Sequence, residues 1–384
     1  MRCKKTNLKK VKLMKKYRLR KLLIKPTFAC NASCKNCIYR RELYNKLRKE
    51  DLLTFDDWKR ILKEAYQLGV KLFIISGGEP TLYPRLPELI EIGRSYGWIV
   101  KLNSNGSMIT PEYAETLIRA GLNFITISLY APHQEINTQM RGTNQLWMKT
   151  TSAIKIFSQL EKRYPYFKVN TQSILVRENF DSFAELLELH YQLGSNRMTV
   201  SYLEGDFEKK NLLTEEEISY FKKKIIPKAI DFCQTLDKDV RTVAIRNLKG
   251  LFSEENVSLS DWAKGVYQPK NSHIRSCQIA QELAFILANG DVHPCHIVEY
   301  THEPLMGNLF KNTLTELWYS NRWMNFRENL FDRCELCPIN LHTTIPLRFD
   351  KSKRLRNFYE AKIKDRKIFQ ILKPLVQTYK KLWN

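Results

Sequence analysis

The sequence predicts an α/β fold: a partial (β/α)6 TIM-like barrel followed by a small C-terminal cysteine-bearing domain. Two observations carry this. Short β-rich apolar runs recur with amphipathic helical segments between them, the pattern of βα units on a parallel sheet. After Leu203 that alternation stops, and Cys277, Cys295, Cys334 and Cys337 gather in the last third of the chain.

Six strands are expected, near Leu22 to Phe28, Leu72 to Ser76, Ile99 to Asn103, Phe124 to Leu129, Phe167 to Leu175 and Met198 to Leu203. Helices between them are marked by Thr54 with Asp57 three residues on, by Pro111 following Thr110, and by the apolar period of Phe183 to Leu193. Right-handed crossovers then curl the strands into an open barrel. A charged helix opens at Thr214, and a hairpin is expected from Leu283 to Leu287, the turn Asn289-Gly290-Asp291 and His293 beyond it. The organisation expected is a basic N-terminal extension (1–21), a barrel core (22–210), a helical linker (211–276), a cysteine-bearing domain (277–342) and a basic C-terminal helix (351–384), kinked at Pro374.

The chain's formal charge is +23, but residues 1–21 supply +11 and residues 351–384 supply +9, leaving +3 between them. So balanced a core does not resemble a groove that neutralises many phosphates. The basic ends are open to an acidic partner or a membrane surface as well as to plain solvation. No apolar run approaches the roughly 20 residues of a membrane span, and no apolar segment of a secretion signal follows the basic start, so a cytoplasmic protein without a transmembrane segment is expected.

Nine cysteines exceed what packing asks of a chain in a reducing compartment, where disulfides are rare. Cys30, Cys34 and Cys37, spaced C-x3-C-x2-C, directly follow the first strand, at the face where βα loops build active sites. Three thiolates suit a 4Fe–4S cube with one iron open; a structural zinc would want a fourth ligand, and no nearby histidine supplies it. Cys277, Cys295, Cys334 and Cys337 form a second group whose four thiolates close a site, a donor set that suits zinc as well as a cluster. Cys3 and Cys233 stand apart, and His293 and His296 flank Cys295 without completing a ligand set. Glu204 and Asp206, after the sixth strand at the barrel mouth, are placed to act on a substrate proton, though a plain acidic loop is the commoner reading.

The first spacing is the signature of the radical S-adenosylmethionine (SAM) superfamily, and the resemblance extends to Ser76-Gly77-Gly78-Glu79-Pro80, Asn103-Ser-Asn105-Gly106, Ser128 and Arg141-Gly142. It implies that the open iron binds the methionine end of SAM, with Gly77, Gly78, Glu79 and Pro80 near its amino group and Ser128 and Arg141 near its carboxylate. Asn103, and Gln172 near the ribose, complete the implied SAM contacts. Ser128-Leu129-Tyr130-Ala131 stands where many relatives have Ser-Leu-Asp-Gly. The second group, with Gly290 between Cys277 and Cys295, Gly307-Asn308-Leu309 and Leu314-Thr-Glu-Leu-Trp318, resembles the SPASM auxiliary-cluster domain in its shortened twitch form. No cysteine follows Cys337, so one auxiliary 4Fe–4S cluster is implied rather than two.

The resemblance implies an enzyme that draws electrons from a flavodoxin- or ferredoxin-type reductase, cleaves SAM to a 5′-deoxyadenosyl radical and oxidises a substrate. A ribosomally made peptide is the favoured substrate class. Against it, the 21 residues before the first strand are too few for a separate leader-recognition domain, which keeps a carbohydrate or cyclitol alcohol as the alternative. A non-catalytic electron carrier is the remaining reading, but it has no use for a SAM pocket.

Overall fold

The computed structural model describes residues 17–37, 51–203, 209–267, 277–295, 305–328, 337 and 342–348. Strands β1 (Lys21–Ile24), β2 (Leu72–Ile75), β3 (Ile99–Ser104), β4 (Phe124–Ser128), β5 (Lys168–Ile174) and β6 (Arg197–Ser201) pair in parallel, each with the next. The six expected strands are all present, with ends that differ by up to four residues. Five helices of the barrel layer lie between them: α1 (Phe55–Leu68), α2 (Leu86–Ser95), α3 (Pro111–Ala120), then α4 (Gln134–Arg141) and α5 (Leu146–Arg163) together between β4 and β5. A sixth, α6 (Phe183–Gln192), joins β5 to β6.

Local chemistry sets the helix starts. Thr54 and Asp57 cap α1 reciprocally, side chain to backbone in both directions, and the Thr110 hydroxyl caps α3 ahead of Pro111. Each helix then turns an apolar stripe onto the outward face of the sheet. Val100 and Leu102 of β3, for example, share one buried cluster with Leu89, Ile90, Leu117 and Ile118.

Beyond the barrel come α7 (Glu215–Tyr220), a single π-helical stretch at Phe221–Ile225, α8 (Ile226–Cys233), α9 (Lys238–Lys249) and α10 (Leu259–Lys264). The helix expected at Thr214 is α7, capped reciprocally by Thr214 and Glu217. Helix α11 (Gln278–Glu282) leads into β7 (Leu283–Ile286), which turns back through Asn289-Gly290 into β8 (Asp291–His293), the expected hairpin. Then follow β9 (Gly307–Asn308), α12 (Leu314–Trp318), α13 (Asn321–Glu328) and β10 (Thr343–Pro346).

These later strands do not form a sheet of their own. β7 adds in parallel to β1, β8 and β9 follow antiparallel, and β10 adds antiparallel to β6, giving one ten-stranded sheet in the order β10-β6-β5-β4-β3-β2-β1-β7-β8-β9. The cysteine-bearing region is thus grafted onto the barrel's open edge, and an edge strand covered in this way exposes no free ladder. No described helix is long and apolar enough to cross a membrane. Residues 1–16 and 349–384 of the basic ends, with Pro374 and the kink expected there, and Glu204, Asp206, His296 and Cys334 lie outside the described residues.

Candidate active site

Cys30, Cys34 and Cys37 occupy the loop leaving the C-terminal end of β1, half-buried and free of disulfides. Two backbone bonds dock this loop onto the end of α4: Ser33 N–H donates to Arg141 C=O (3.0 Å) and Lys35 N–H to Met140 C=O (2.9 Å). Gly142 permits the approach. A side-chain carbon there would sit 2.7 Å from the Ser33 carbonyl oxygen. Arg141-Gly142, expected to meet SAM, is therefore also the platform of the cysteine loop.

Gly77 and Gly78 follow the end of β2 and run against the chain just ahead of Cys30. Gly78 N–H donates to Thr27 C=O (3.0 Å) and Glu79 N–H to Ala29 C=O (2.7 Å). A Cβ on Gly78 would lie 2.2 Å from the Ala29 oxygen. The missing side chain here makes room for the protein's own backbone.

Glu79 is buried, and four donors converge on its carboxylate. One oxygen accepts from the Thr81 N–H (3.1 Å), the Thr81 hydroxyl (2.6 Å) and the Ser104 hydroxyl (2.7 Å); the other accepts from the Asn105 N–H (2.7 Å). It ties the β2 loop to the end of β3. Asn105 passes the connection on, its amide donating to Asn31 Oδ1 (2.9 Å), and Asn31 donates in turn to the Ser107 hydroxyl (2.8 Å). Pro80 starts a short 3₁₀ turn beside Glu79. Beside Asn31 and Ser107 opens a cavity of about 470 Å³, floored by Gly142 to Leu146 and Lys149.

Arg141 is buried; its guanidinium donates to the Ser128 carbonyl and lies 4.8 Å over the Tyr130 ring. Burial works against its charge, yet the neighbouring Cys34 sulfur and Tyr130 hold its pKa above the usual value. Burial pushes the Tyr130 phenol up, with Arg141 acting against it and Cys34 with it. Burial likewise raises the Cys30 thiol, while an N–H from Ala32 on its sulfur (3.5 Å) acts the other way. Lys35, between the second and third cysteines, is held 2.5 Å from Glu178. Asn36 accepts from the Asn211 amide at 2.6 Å.

The donor set fits a cluster rather than a single ion. Three half-buried thiols on one loop offer one thiolate to each of three irons of a cube and leave the fourth iron open. The negative charge of such a thiolate-bound group would face the buried Arg141 cation.

The remaining expected contacts lie on the inner face of the sheet. Asn103 sits near the end of β3 with a buried Oδ1 that has no partner, and Gln172 on β5 donates to the Ser201 hydroxyl (2.8 Å). Asn31, Ser104, Asn105 and Tyr130, which organise the loop and its wall, were not singled out as site residues; the only signal for them was their place inside the motifs.

At the other group, Cys277 begins α11, Cys295 follows β8, and both are half-buried, as is Cys337. Because β7 runs parallel to β1, its turn lies at the Cys30 end of the barrel and Cys277 and Cys295 lie toward the opposite end. His293 packs its ring 6.0 Å from Phe285. Cys233 is fully buried in the apolar core, where burial pushes its thiol up to about 11.

A profile of the radical SAM superfamily matches residues 24–190, and one of an iron–sulfur cluster-binding domain, SPASM, matches residues 277–338. A PqqA peptide cyclase of Gluconobacter oxydans is 26% identical over 303 residues, covering 77% of this chain and 75% of that protein. An AdoMet-dependent heme synthase of Methanosarcina barkeri is 28% identical over 177 residues, covering 46% of this chain and 48% of that protein, so the match spans about half of that relative's length. The crystal structure of Streptococcus suis SuiB bound to S-adenosylmethionine superimposes with a TM-score of 0.60 at 18% identity, over 83% of this chain and 71% of that one. The chain belongs to the radical SAM superfamily and carries a C-terminal iron–sulfur cluster-binding domain of the SPASM type.

Proposed function

We propose that this enzyme oxidises a ribosomally made peptide, using 4Fe–4S clusters and SAM. The observation that carries the reading is the likeness to PqqA peptide cyclases, which runs through the barrel and the second cysteine group alike, over 77% and 83% of the chain. SuiB, which has the same fold, has also been crystallised with its precursor peptide SuiA.

In this reading Cys30, Cys34 and Cys37 hold the catalytic cluster, and Cys277, Cys295, Cys334 and Cys337 the auxiliary one. When bound, the first cluster supplies, from a flavodoxin- or ferredoxin-type reductase, the electron that splits SAM into methionine and a 5′-deoxyadenosyl radical. The chain's own residues position and shield. Glu79 fixes the loop that faces SAM, Arg141 and Ser128 receive the SAM carboxylate, Asn103 and Gln172 line the space below, and Arg141 offsets negative charge at Cys34. Cys30, Cys34 and Cys37 lie at one end, and Cys277 and Cys295 toward the other, of strands of four to seven residues. Such strands are about 13 to 23 Å long, so a substrate inside the barrel lies between the site of hydrogen abstraction and an acceptor for its remaining electron.

AdoMet-dependent heme synthases match this chain as well, which makes a tetrapyrrole the second reading. The test is to incubate anaerobically reconstituted enzyme with SAM, a reductant and short peptides encoded beside its gene. The peptide reading expects a loss of about 2 Da from one peptide, matched mole for mole by 5′-deoxyadenosine. Unchanged peptides together with turnover of a tetrapyrrole would overturn it.

A further inference from the structure

A closed barrel fills its interior with layers of branched apolar side chains. This one does so only at its base. With Val100, Leu102, Ile125 and Ile127 facing the helices, the alternate residues face inward; Leu72, Ile74, Ile99 and Phe124 are apolar, and nearer the mouth the face turns polar in two rungs set by the register: Asn103, Thr126 and Asn170, then Ser128, Gln172 and Thr199. Most of these inner side chains are half-buried rather than enclosed, and Asn103, already among the expected SAM contacts, and Asn170 each keep a buried carbonyl oxygen without a partner. An unpaired acceptor on the inner face calls for a ligand group, SAM at Asn103 and another at Asn170.

The charge on that surface is one-sided. Strands β1 to β6 contain no Asp or Glu, and four cations, Lys21, Lys101, Lys168 and Arg197. Lys21 reaches Glu282 (3.6 Å) and Lys168 reaches Glu161 (2.7 Å). Lys101 has no anionic partner among the described residues. It lies two residues before Asn103 on the same inward face, one rung deeper from the mouth. Burial lowers its pKa and the charge of Arg197 lowers it further. Because β6 is three strands from β3 in the sheet, that repulsion acts across the inside of the barrel. Half-buried on the inner face, beside a second cation and with no acid paired to it among the described residues, this ammonium is left to an anion from outside the fold.

We infer that Lys101, faced by Arg197, is a seat for a substrate carboxylate inside the barrel. This rests on the peptide reading above and narrows it to a peptide that inserts an Asp or Glu side chain. The neighbouring acceptor fits that class: a carboxylate attached to a peptide brings backbone N–H groups with it, and the Asn170 oxygen sits one rung from the cation to receive one. A phosphate would satisfy Lys101 and leave that oxygen unpaired.

The test uses binding rather than turnover, so that its failure is separable from failure of the peptide reading. Reconstituted, SAM-loaded protein is titrated calorimetrically with N-acetylglutamate α-amide and with the matching glutamine compound. The glutamate probe should bind at least about tenfold more tightly, a difference of about 1.4 kcal/mol. Lys101→Met should reduce it to the glutamine level, and Lys101→Arg should retain the preference. Lys101→Met should also melt no lower than the parent, since it removes a charge with no partner. Equal binding of the two probes, or unchanged binding of the glutamate probe to Lys101→Met, would overturn the inference and leave Lys101 to lumen water. A markedly lower melting point of Lys101→Met would overturn it too, by showing that the fold itself supplies a partner.

Discussion

Gly77, Gly78 and Glu79 stand together in the sequence and act on different neighbours in the structure. Gly78 admits the Ala29 carbonyl and Glu79 gathers four donors from the next two turns, so the motif locks the cysteine loop to the ends of β2 and β3. The motif's position was legible in the sequence. Its partners were not, because Ala29, Ser104 and Asn105 come from segments brought together only by the parallel register. Gly78→Ala should therefore act on the cluster before it acts on SAM. A methyl group 2.2 Å from an oxygen must push Ala29, and Cys30 with it, out of place. Iron analysis of the reconstituted variant should fall from about eight to about four per chain, as loss of one 4Fe–4S cluster implies. Full iron content with impaired SAM binding would show that the glycine serves the ligand instead.

At the scale of elements, the strands and capped helices could be read directly, since alternation and Thr/Asp caps are local signals. Long-range joins could not. Nothing in Leu283–Ile286 indicates that it extends β1, nor in Thr343–Pro346 that it returns to β6, because pairing partners depend on the whole sheet. Helix α6 carries a second hidden feature. His190, fully buried, lies 3.1 Å from the Ser173 hydroxyl beneath β5, and burial lowers its pKa to about 3. It is neutral in the folded protein, whereas the unfolded chain protonates near the ordinary value of about 6.5. Its contribution is therefore fully present above about pH 6.5 and is lost as pH falls toward 3, amounting to about 2 kcal/mol between pH 7 and pH 5. Melting curves at those two pH values check this. The drop in Tm should be clearly smaller for His190→Asn than for the parent; equal drops would mean that other groups control acid stability.

Viewed whole, the molecule places Cys30, Cys34 and Cys37 at one end of the sheet and Cys277 and Cys295 toward the other, with a partly polar, cationic inner surface between them. Both cysteine groups stand out in the sequence because their C-x3-C-x2-C and C-x2-C spacings are local signals. The polarity of the interior was hidden, since Lys101, Asn103 and Asn170 look like ordinary alternate residues of amphipathic strands until curvature turns that face inward. We propose that a cluster at Cys30, Cys34 and Cys37 cleaves SAM. The most direct measurement compares 5′-deoxyadenosine formation from SAM, under strong reductant and without oxygen, in the parent and in the triple variant Cys30→Ala, Cys34→Ala, Cys37→Ala. The parent should form 5′-deoxyadenosine and hold about eight irons; the variant should hold about four, in the auxiliary site, and form none. A folded triple variant that still cleaves SAM would contradict the claim.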